Sequence, residues 1–547
     1  MDGHQPKEKT TATENGAAPG RREWAGLAVL ALGLGMIVLD GTIVGVALPT
    51  MITDLGLDLS DAQWVNSLYA IVLAGLLLST GRLADRWGRR RLFLAGIVVF
   101  LAGSALAAAA EAGNTLLAAR AVQAVGAALI MPSTLSTVNA TFRGRHRAAA
   151  FGVWGAVISG AAAIGPLVGG ALTEYAAWQW IFLVNIPVGL ILIIAALLTV
   201  PETRGEATGR GADVDGALLS GIGFGGLVYA VIQGPEIGWI KPKGDLDLLG
   251  FTWPASAPVS IIPVIFGLAV LALVLFVFWE RHRARIGRSA LLDLNLFRLP
   301  TFTWGNLTAA TVAIGEFAII FVLPLYLING LGLSTMGAGL ALAAMAVGAF
   351  FSGASARHLA ARYGSPGTVL IGLGLEVIGV VAVALVIGAN SPGWLIAALL
   401  AIYGLGLGLA SAQLTGLVLR DVPTGLSGQG SAAQSTVRQV GSSLGTALSG
   451  AALSVALALT LPSSLEGKGL SGQAADSLAN STRESAGSTI AELRAEGVAS
   501  HFGNQTDAIT AALAQGFADA TRASLLLASL FLLLGLAGAF RVRRAAR

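Results

Sequence analysis

Four charged side chains stand alone in apolar surroundings: Asp40 in GMIVLDGTIVG, Arg120 in LLAARAVQAVGAAL, Glu316 in AATVAIGEFAIIFVLPLY and Glu376 in LIGLGLEVIGV. An ionised group near the centre of a bilayer costs roughly 2.5–3.5 kcal/mol, so a chain keeps one there for a partner or a task. Glu316 has no base in its own apolar run, which suits a carboxyl that gains a proton on one side and loses it on the other, or else a permanently neutral one packed against a helix backbone. Asp40 and Arg120 suit either a pair that senses protons or substrate, or a structural pair that only ties two helices, with Gln123 one turn beyond the arginine. Glu376 reads chiefly as a neutral carboxyl facing protein, with a direct functional role as the alternative. Gln233, Asn306, Gln413, Gln434 and Gln439 either contact cargo or link helices.

Other chemistry is missing. There is no cysteine, and the five histidines show no metal-ligand spacing, so no metal site and no thiol nucleophile are expected. No Gly-x-x-x-x-Gly-Lys occurs, and GLGLGLAS (404–411) lies in an apolar run with no strand before it, so it reads as helix packing. Nothing resembles an enzyme's nucleophile and base. No cofactor is expected.

The elements that must position these residues are read from composition. The chain has 547 residues, 55% apolar and 12% charged, with mean hydropathy +0.75. A soluble protein carries about 25% charged residues. Fourteen apolar segments can be laid down, near 24–48, 62–80, 92–110, 115–138, 149–172, 180–200, 214–233, 259–279, 302–327, 335–356, 367–388, 393–416, 432–460 and 523–540. Runs of that length are helices crossing a bilayer, so the expected fold is an all-α membrane protein with lipid as its solvent.

Charge placement sets the orientation. Arg82 to Arg91, Arg143 to Arg147, Arg281 to Arg288 and the tail from Arg541 fall on one side, while Asp54, Asp58, Asp61, Glu111 and Glu174 fall on the other. The positive-inside rule puts the basic set and both termini in the cytoplasm. Residues 1–23 read as a disordered cytoplasmic tail, and 462–521 as an extracellular loop, chiefly a tolerated surface insertion and alternatively a cap on the outer mouth, with short amphipathic helices at Ala491–Arg494 and Thr506–Phe517. The net charge of +4 sits in short loops and argues against nucleic acid as a partner.

One loop holds more than topology requires. GRLADRWGRRR (81–91) has five arginines, which any cytoplasmic loop could supply, but also Gly81, Asp85 and Gly88. The glycines allow a close helix approach or a tight turn, and Asp85 can bond a helix N-terminus or an arginine. A weaker copy, LAARYG (359–364), follows the tenth segment, with Ala361 where the first has Asp85. The spacing suits a six-helix unit occurring twice, 24–200 and 301–547, with two extra helices in 201–300.

The loop resembles the signature of the major facilitator superfamily, Gly-x-Leu-Ala-Asp-Arg-x-Gly-Arg-Arg, and five other stretches resemble its fourteen-span drug:proton antiporter branch. These are LDGTIVGVALP (39–49), ARAVQAVGAAL (119–129), GAVISGAAAIGPLVGGAL (155–172), WQWIFLVNIPVG (178–189) and RQVGSSLGTAL (438–448). Departures are Gly45 for Asn, Ala124 for Gly and Gln179 for Arg. The resemblance implies two rocking bundles around a central cavity that Asp40 and Arg120 help to line. It implies a conformational latch at Gly81, Asp85, Arg86, Gly88 and Arg89, holding the second and third spans to the thirteenth. It also implies an antiporter motif at Gly165, Pro166, Gly169 and Gly170, packed between the halves to limit leak. The implied activity is export of small lipophilic, cationic drugs in exchange for protons, by a monomer in a bacterial plasma membrane. Alternatives are export of an endogenous lipid or self-made metabolite, and nutrient symport.

Overall fold

The computed structural model describes residues 20–545 except 143, 205–212, 249–250, 289, 424–425, 467–471 and 501. The first bundle comprises α1 (Arg21–Leu55), α2 (Leu59–Trp87), α3 (Arg89–Ala108), α4 (Gly113–Thr141), α5 (Gly144–Tyr175), the single turn α6 (Trp180–Leu183) and α7 (Asn185–Thr199). Next come α8 (Val214–Ile237), a hairpin of β1 (Leu246–Leu248) and β2 (Phe251–Trp253), and α9 (Ile261–Arg285). The second bundle comprises α10 (Pro300–Leu325), α11 (Thr335–Val386), α12 (Gly393–Val418), α13 (Ser427–Glu466), α14 (Gln473–Glu484), α15 (Ser488–Glu496) and α16 (Thr506–Ala545).

Local signals set several boundaries. Asp58 caps α2: its Oδ1 accepts from Asp61 N at 2.7 Å, and Asp61 Oδ2 accepts from Asp58 N at 3.5 Å. Ser334 caps α11 by accepting from Gly337 N. Gly88 ends α2 and starts α3 at φ 109°, and α11 breaks into two limbs at Gly364, φ 74°. Only glycine adopts such angles freely, so both copies of the weak repeat turn on the same residue.

Within the first bundle α1 packs on α5, and α4 lies between α2 and α3; in the second, α10 packs on α13 and α16, and α11 on α12. The bundles meet through α2 with α13 and α5 with α11, while α8 pairs with α9 and rests on α2 and α13. An apolar core runs from Ile43 and Met51 of α1 through Phe321 and Tyr326 to Phe517 of α16, so it spans both bundles. The outside is greasy too: Ile191, Ile194 and Leu198 of α7 and Phe266, Leu275 and Phe278 of α9 are exposed. A surface of this kind needs lipid around it. Among the described residues, eleven helical stretches are long and apolar enough to cross a membrane.

Four expectations change. Residues 1–19 of the expected tail lie outside the described residues, and Arg21 to Glu23 belong to α1. The all-α expectation missed the three-residue strands β1 and β2, which pair antiparallel with Leu246 opposite Trp253. Thr506–Phe517 is no separate helix but the start of α16. The 462–521 segment is no loose insertion either: Ala479, Ala486, Ile490 and Leu493 are buried in the main core. Its sequence reads polar because the outward face is polar, while small apolar residues face inward.

Candidate functional site

The first constellation joins five helices. Asp40 of α1 meets Arg120 of α4, with Arg120 Nη1 donating to Asp40 Oδ2 at 2.5 Å. Gln123 Nε2 and Asn185 Nδ2 each donate to Asp40 Oδ1 at 3.0 Å. Ser104 Oγ of α3 accepts from both amides, at 2.9 and 3.2 Å. Arg120 also donates to Val65 O of α2 at 3.3 Å and stacks over the Tyr69 ring at 4.3 Å. Asp40, Arg120, Gln123, Asn185 and Ser104 are all at most 1% exposed. Each charge is compensated, as a buried ion pair requires.

The second constellation lies in the other bundle and is looser. Arg438 Nη2 of α13 stands 3.3 Å from Glu316 Oε2 of α10 and 3.4 Å from Oε1. Glu376 of α11 is fully buried, and neither carboxyl oxygen has a hydrogen-bond partner among the described residues; the same holds for the Tyr403 hydroxyl of α12. The fields of Glu316 and Arg438 reach both Glu376 and Tyr403, which places the four residues in one neighbourhood.

The glycine-rich motif of α5 lies between the bundles. A methyl at Gly165 would strike Thr42, and one at Gly169 would stand 3.0 Å from Ile43 O, so both face α1. A methyl at Gly170 would stand 2.8 Å from Thr335 O, and one at Gly339 would stand 2.5 Å from Pro166 O. Here α5 and α11 touch backbone to backbone, which is how small residues hold membrane helices together. Glu174, one turn on, accepts from Thr335 Oγ1 at 2.6 Å and Met336 N at 3.2 Å. At the other seam between the bundles, Ser67 of α2 and Ser443 of α13 each donate a hydroxyl to the other's carbonyl.

Arg89, Arg90 and Arg91 of the basic turn bond α4 and the segment after α7. Arg89 Nη1 donates to Ser136 O of α4 at 3.0 Å, and Arg89 N donates to Thr203 O. Arg90 N donates to Glu202 Oε1 at 3.2 Å, and Arg91 Nε lies 3.8 Å from Glu202 Oε2. These arginines thus clamp the segment after α7. Arg86 is exposed, and the Asp85 side chain, with its expected contact to the thirteenth span, lies outside the described residues. Gly81 is not sterically required, because a methyl there would meet Pro132 Cβ at an ordinary 3.6 Å. A cavity of about 550 Å³ beside the turn is lined by Leu83, Trp87, Arg91, Leu92, Leu129 and Arg204, away from both carboxylate sites.

Two partners were hidden in the sequence. Arg438 is 122 positions from Glu316, and Asn185 is 145 from Asp40. Both stand in stretches singled out for other reasons, but nothing in their spacing marks them as partners. The polar candidates Asn306 and Gln434 bond Phe302 O of the same helix and Thr415 Oγ1 of α12, so they link helices or turns in this structure.

Two bundles of apolar helices, joined at glycine-lined seams and holding ion pairs in their cores, make a multi-pass membrane transporter. The family model of the Major Facilitator Superfamily matches residues 30–446, and the chain belongs to that superfamily. It is 32% identical to the methylenomycin A resistance protein of Bacillus subtilis (strain 168), over 77% of this chain and 86% of that one. It is 31% identical to the tetracenomycin C resistance and export protein of Streptomyces glaucescens, over 78% and 75%. Among solved structures, a bacterial homolog of the human lysosomal transporter Spinster aligns at TM-score 0.62 and 17% identity over 97% and 98% of the two chains, a likeness of fold.

Proposed function

We propose that this transporter exports small lipophilic cations, drugs or antibiotics, across a bacterial plasma membrane in exchange for protons. The observation that carries this reading is the Glu316–Arg438 pair. It puts a carboxylate in the membrane core with one partner that is itself half open to its surroundings. A proton on Glu316 releases Arg438, and loss of that proton restores a negative charge that a cationic cargo can use; binding of one excludes the other. The Asp40–Arg120 network, by contrast, is satisfied on every side, and its proposed role is to hold the first bundle rigid. Relatives named for resistance to antibiotics support the cargo class.

With α2, α5 and the second limb of α11 counted as spans, the eleven apolar stretches become fourteen. An even number places both termini on one side, which the arginine distribution assigns to the cytoplasm. The working unit in this reading is a monomer with no cofactor. The test is flux of ethidium in proteoliposomes under an imposed pH gradient: reversing the gradient should reverse the flux. Flux indifferent to the gradient would remove the antiport reading.

A further inference from the structure

The two helices between the bundles carry more buried charge than a lipid-facing pair needs. Asp213 caps α8, its Oδ1 accepting from Gly216 N at 3.0 Å and from Trp279 Nε1 of α9 at 2.9 Å. Its Oδ2 stands 3.1 Å from Arg283 Nε of α9. Glu280, on the same face of α9 one turn before Arg283, is fully buried. Its Oε2 accepts from Leu292 N at 3.0 Å, and its Oε1 has no hydrogen-bond partner among the described residues. Arg82, the first arginine of the basic turn, approaches from α2. Its Nη1 is buried and also lacks a hydrogen-bond partner among the described residues. Glu280 and Asp213 are the acids whose charge acts on Arg82, while Arg283 and Arg86 oppose them.

Two further features join this cluster to both bundles. A methyl at Gly216 would stand 2.7 Å from Glu280 Oε1, so glycine lets α8 approach the buried acid. Beneath it, Phe276 and Leu291 pack with Ala217, Leu219 and Leu292, and also with Ala432 at the start of α13. The insert therefore touches α2 of one bundle and α13 of the other at the same level. The Asp40 network is saturated with hydrogen bonds and costly to open. Here Arg82 Nη1 and Glu280 Oε1 are both buried without a hydrogen-bond partner among the described residues, on helices at the packed face of α2 and the insert, which leaves bonding capacity that a shift of those helices can use or release.

We propose that α8 and α9 form a charged clasp on the transport cycle, with Asp213 and Glu280 as positioning residues for Arg82. The clasp steadies the arrangement seen here and loosens when the bundles rock. The proposal rests on the transport reading above, but part of its test does not. Because the chain has no cysteine, Arg22→Cys and His358→Cys, on exposed residues of α1 and α11, would carry spin labels for distance measurements in nanodiscs. Glu280→Gln should lower the population at the main wild-type distance about twofold. It should also cut the maximal rate of ethidium flux about tenfold while KM stays within about twofold. Reversing the pair, Arg82→Glu with Glu280→Arg, should recover at least half of what Arg82→Glu alone loses in that population, roughly. Size-exclusion profiles establish that each variant is folded. An unchanged distance distribution, an unchanged maximal rate, or a reversed pair no better than Arg82→Glu overturns the clasp. If the unsubstituted protein moved no ethidium, the functional reading would fall, and the distance measurements alone would decide the clasp.

Discussion

Arg438 Nη2 and Glu316 Oε2 stand 3.3 Å apart on neighbouring helices, with 46% of the arginine side chain exposed and 11% of the glutamate side chain. The Asp40–Arg120 pair of the other bundle is 0% and 1% exposed. Two ion pairs of the same chemistry thus sit in opposite settings. A buried, saturated pair resists any change of charge, whereas a pair with one open partner tolerates it better, since the arginine left behind is not sealed inside the protein. The difference separates the roles that the two carboxylates can play.

Glu316→Gln should leave the protein folded, as a monodisperse peak in detergent would show. It should abolish proton-driven export, while downhill movement of cargo continues. Flux in proteoliposomes with and without a pH gradient checks this, and gradient-driven export by the variant would count against the assignment.

Asp40→Asn should act on folding before it acts on coupling. Removing one partner of a buried pair leaves Arg120 uncompensated, at a cost of about 3–5 kcal/mol. The expected outcome is a clear fall in thermal stability in detergent, or loss of the monodisperse peak. A variant as stable as the parent but uncoupled would instead make Asp40 the titrating site.

Gly339→Ala should force α11 away from α5, because the new methyl would stand 2.5 Å from the Pro166 carbonyl oxygen. Backbone cannot yield as a side-chain tip can, so the cost is about 1–3 kcal/mol. Flux should fall and the seam should widen, as read by label distances between Tyr175→Cys and Trp394→Cys.

The bridge made by Glu174 should depend on pH. The Thr335 hydroxyl holds its carboxyl below the ordinary 4.5, against the opposing effect of burial and with help from the Met336 amide. A depressed carboxyl stabilises the bridged state above the ordinary value, and that contribution is lost as pH falls through the depressed one. The seam between α5 and α11 should therefore hold at and above the ordinary 4.5 and loosen only as pH falls below it. Glu174→Gln should be indifferent to pH over that range in the same distance measurement.

Arg494→Ala should free the cap formed by α14 and α15. Arg494 Nη2 donates to Gly330 O at 3.0 Å and Nη1 to Asn329 O at 3.4 Å, satisfying carbonyls where α10 ends in a wide turn. Loss of charged hydrogen bonds of this kind costs about 1.5–3 kcal/mol. Faster proteolytic cleavage between residues 466 and 506 would report it, and an unchanged cleavage rate would show that the buried apolar face alone holds the cap.

Much was legible before any coordinates. Apolar run length located the helices, since a bilayer demands a minimum span, and an isolated Asp40 or Glu316 stands out because its cost is high. The turn at Gly88 and its copy at Gly364 were marked by a repeated glycine, a local signal with a local cause. The long polar connection was misjudged for an equally physical reason. Hydropathy averages over a helix, and α14 hides Ala475 and Ala479 beneath a polar face.

By itself, the sequence determined that this is a chain of membrane-crossing helices with a few expensive charges, and which of its connecting loops are basic. Only the tertiary structure decided the partners: Arg438 for Glu316, Asn185 and Ser104 for Asp40, and the insert's acids for Arg82. The reason is that burial and helix propensity depend on residues near in the chain. The compensation of a buried charge depends on whichever helices pack around it, and those come from anywhere in the sequence.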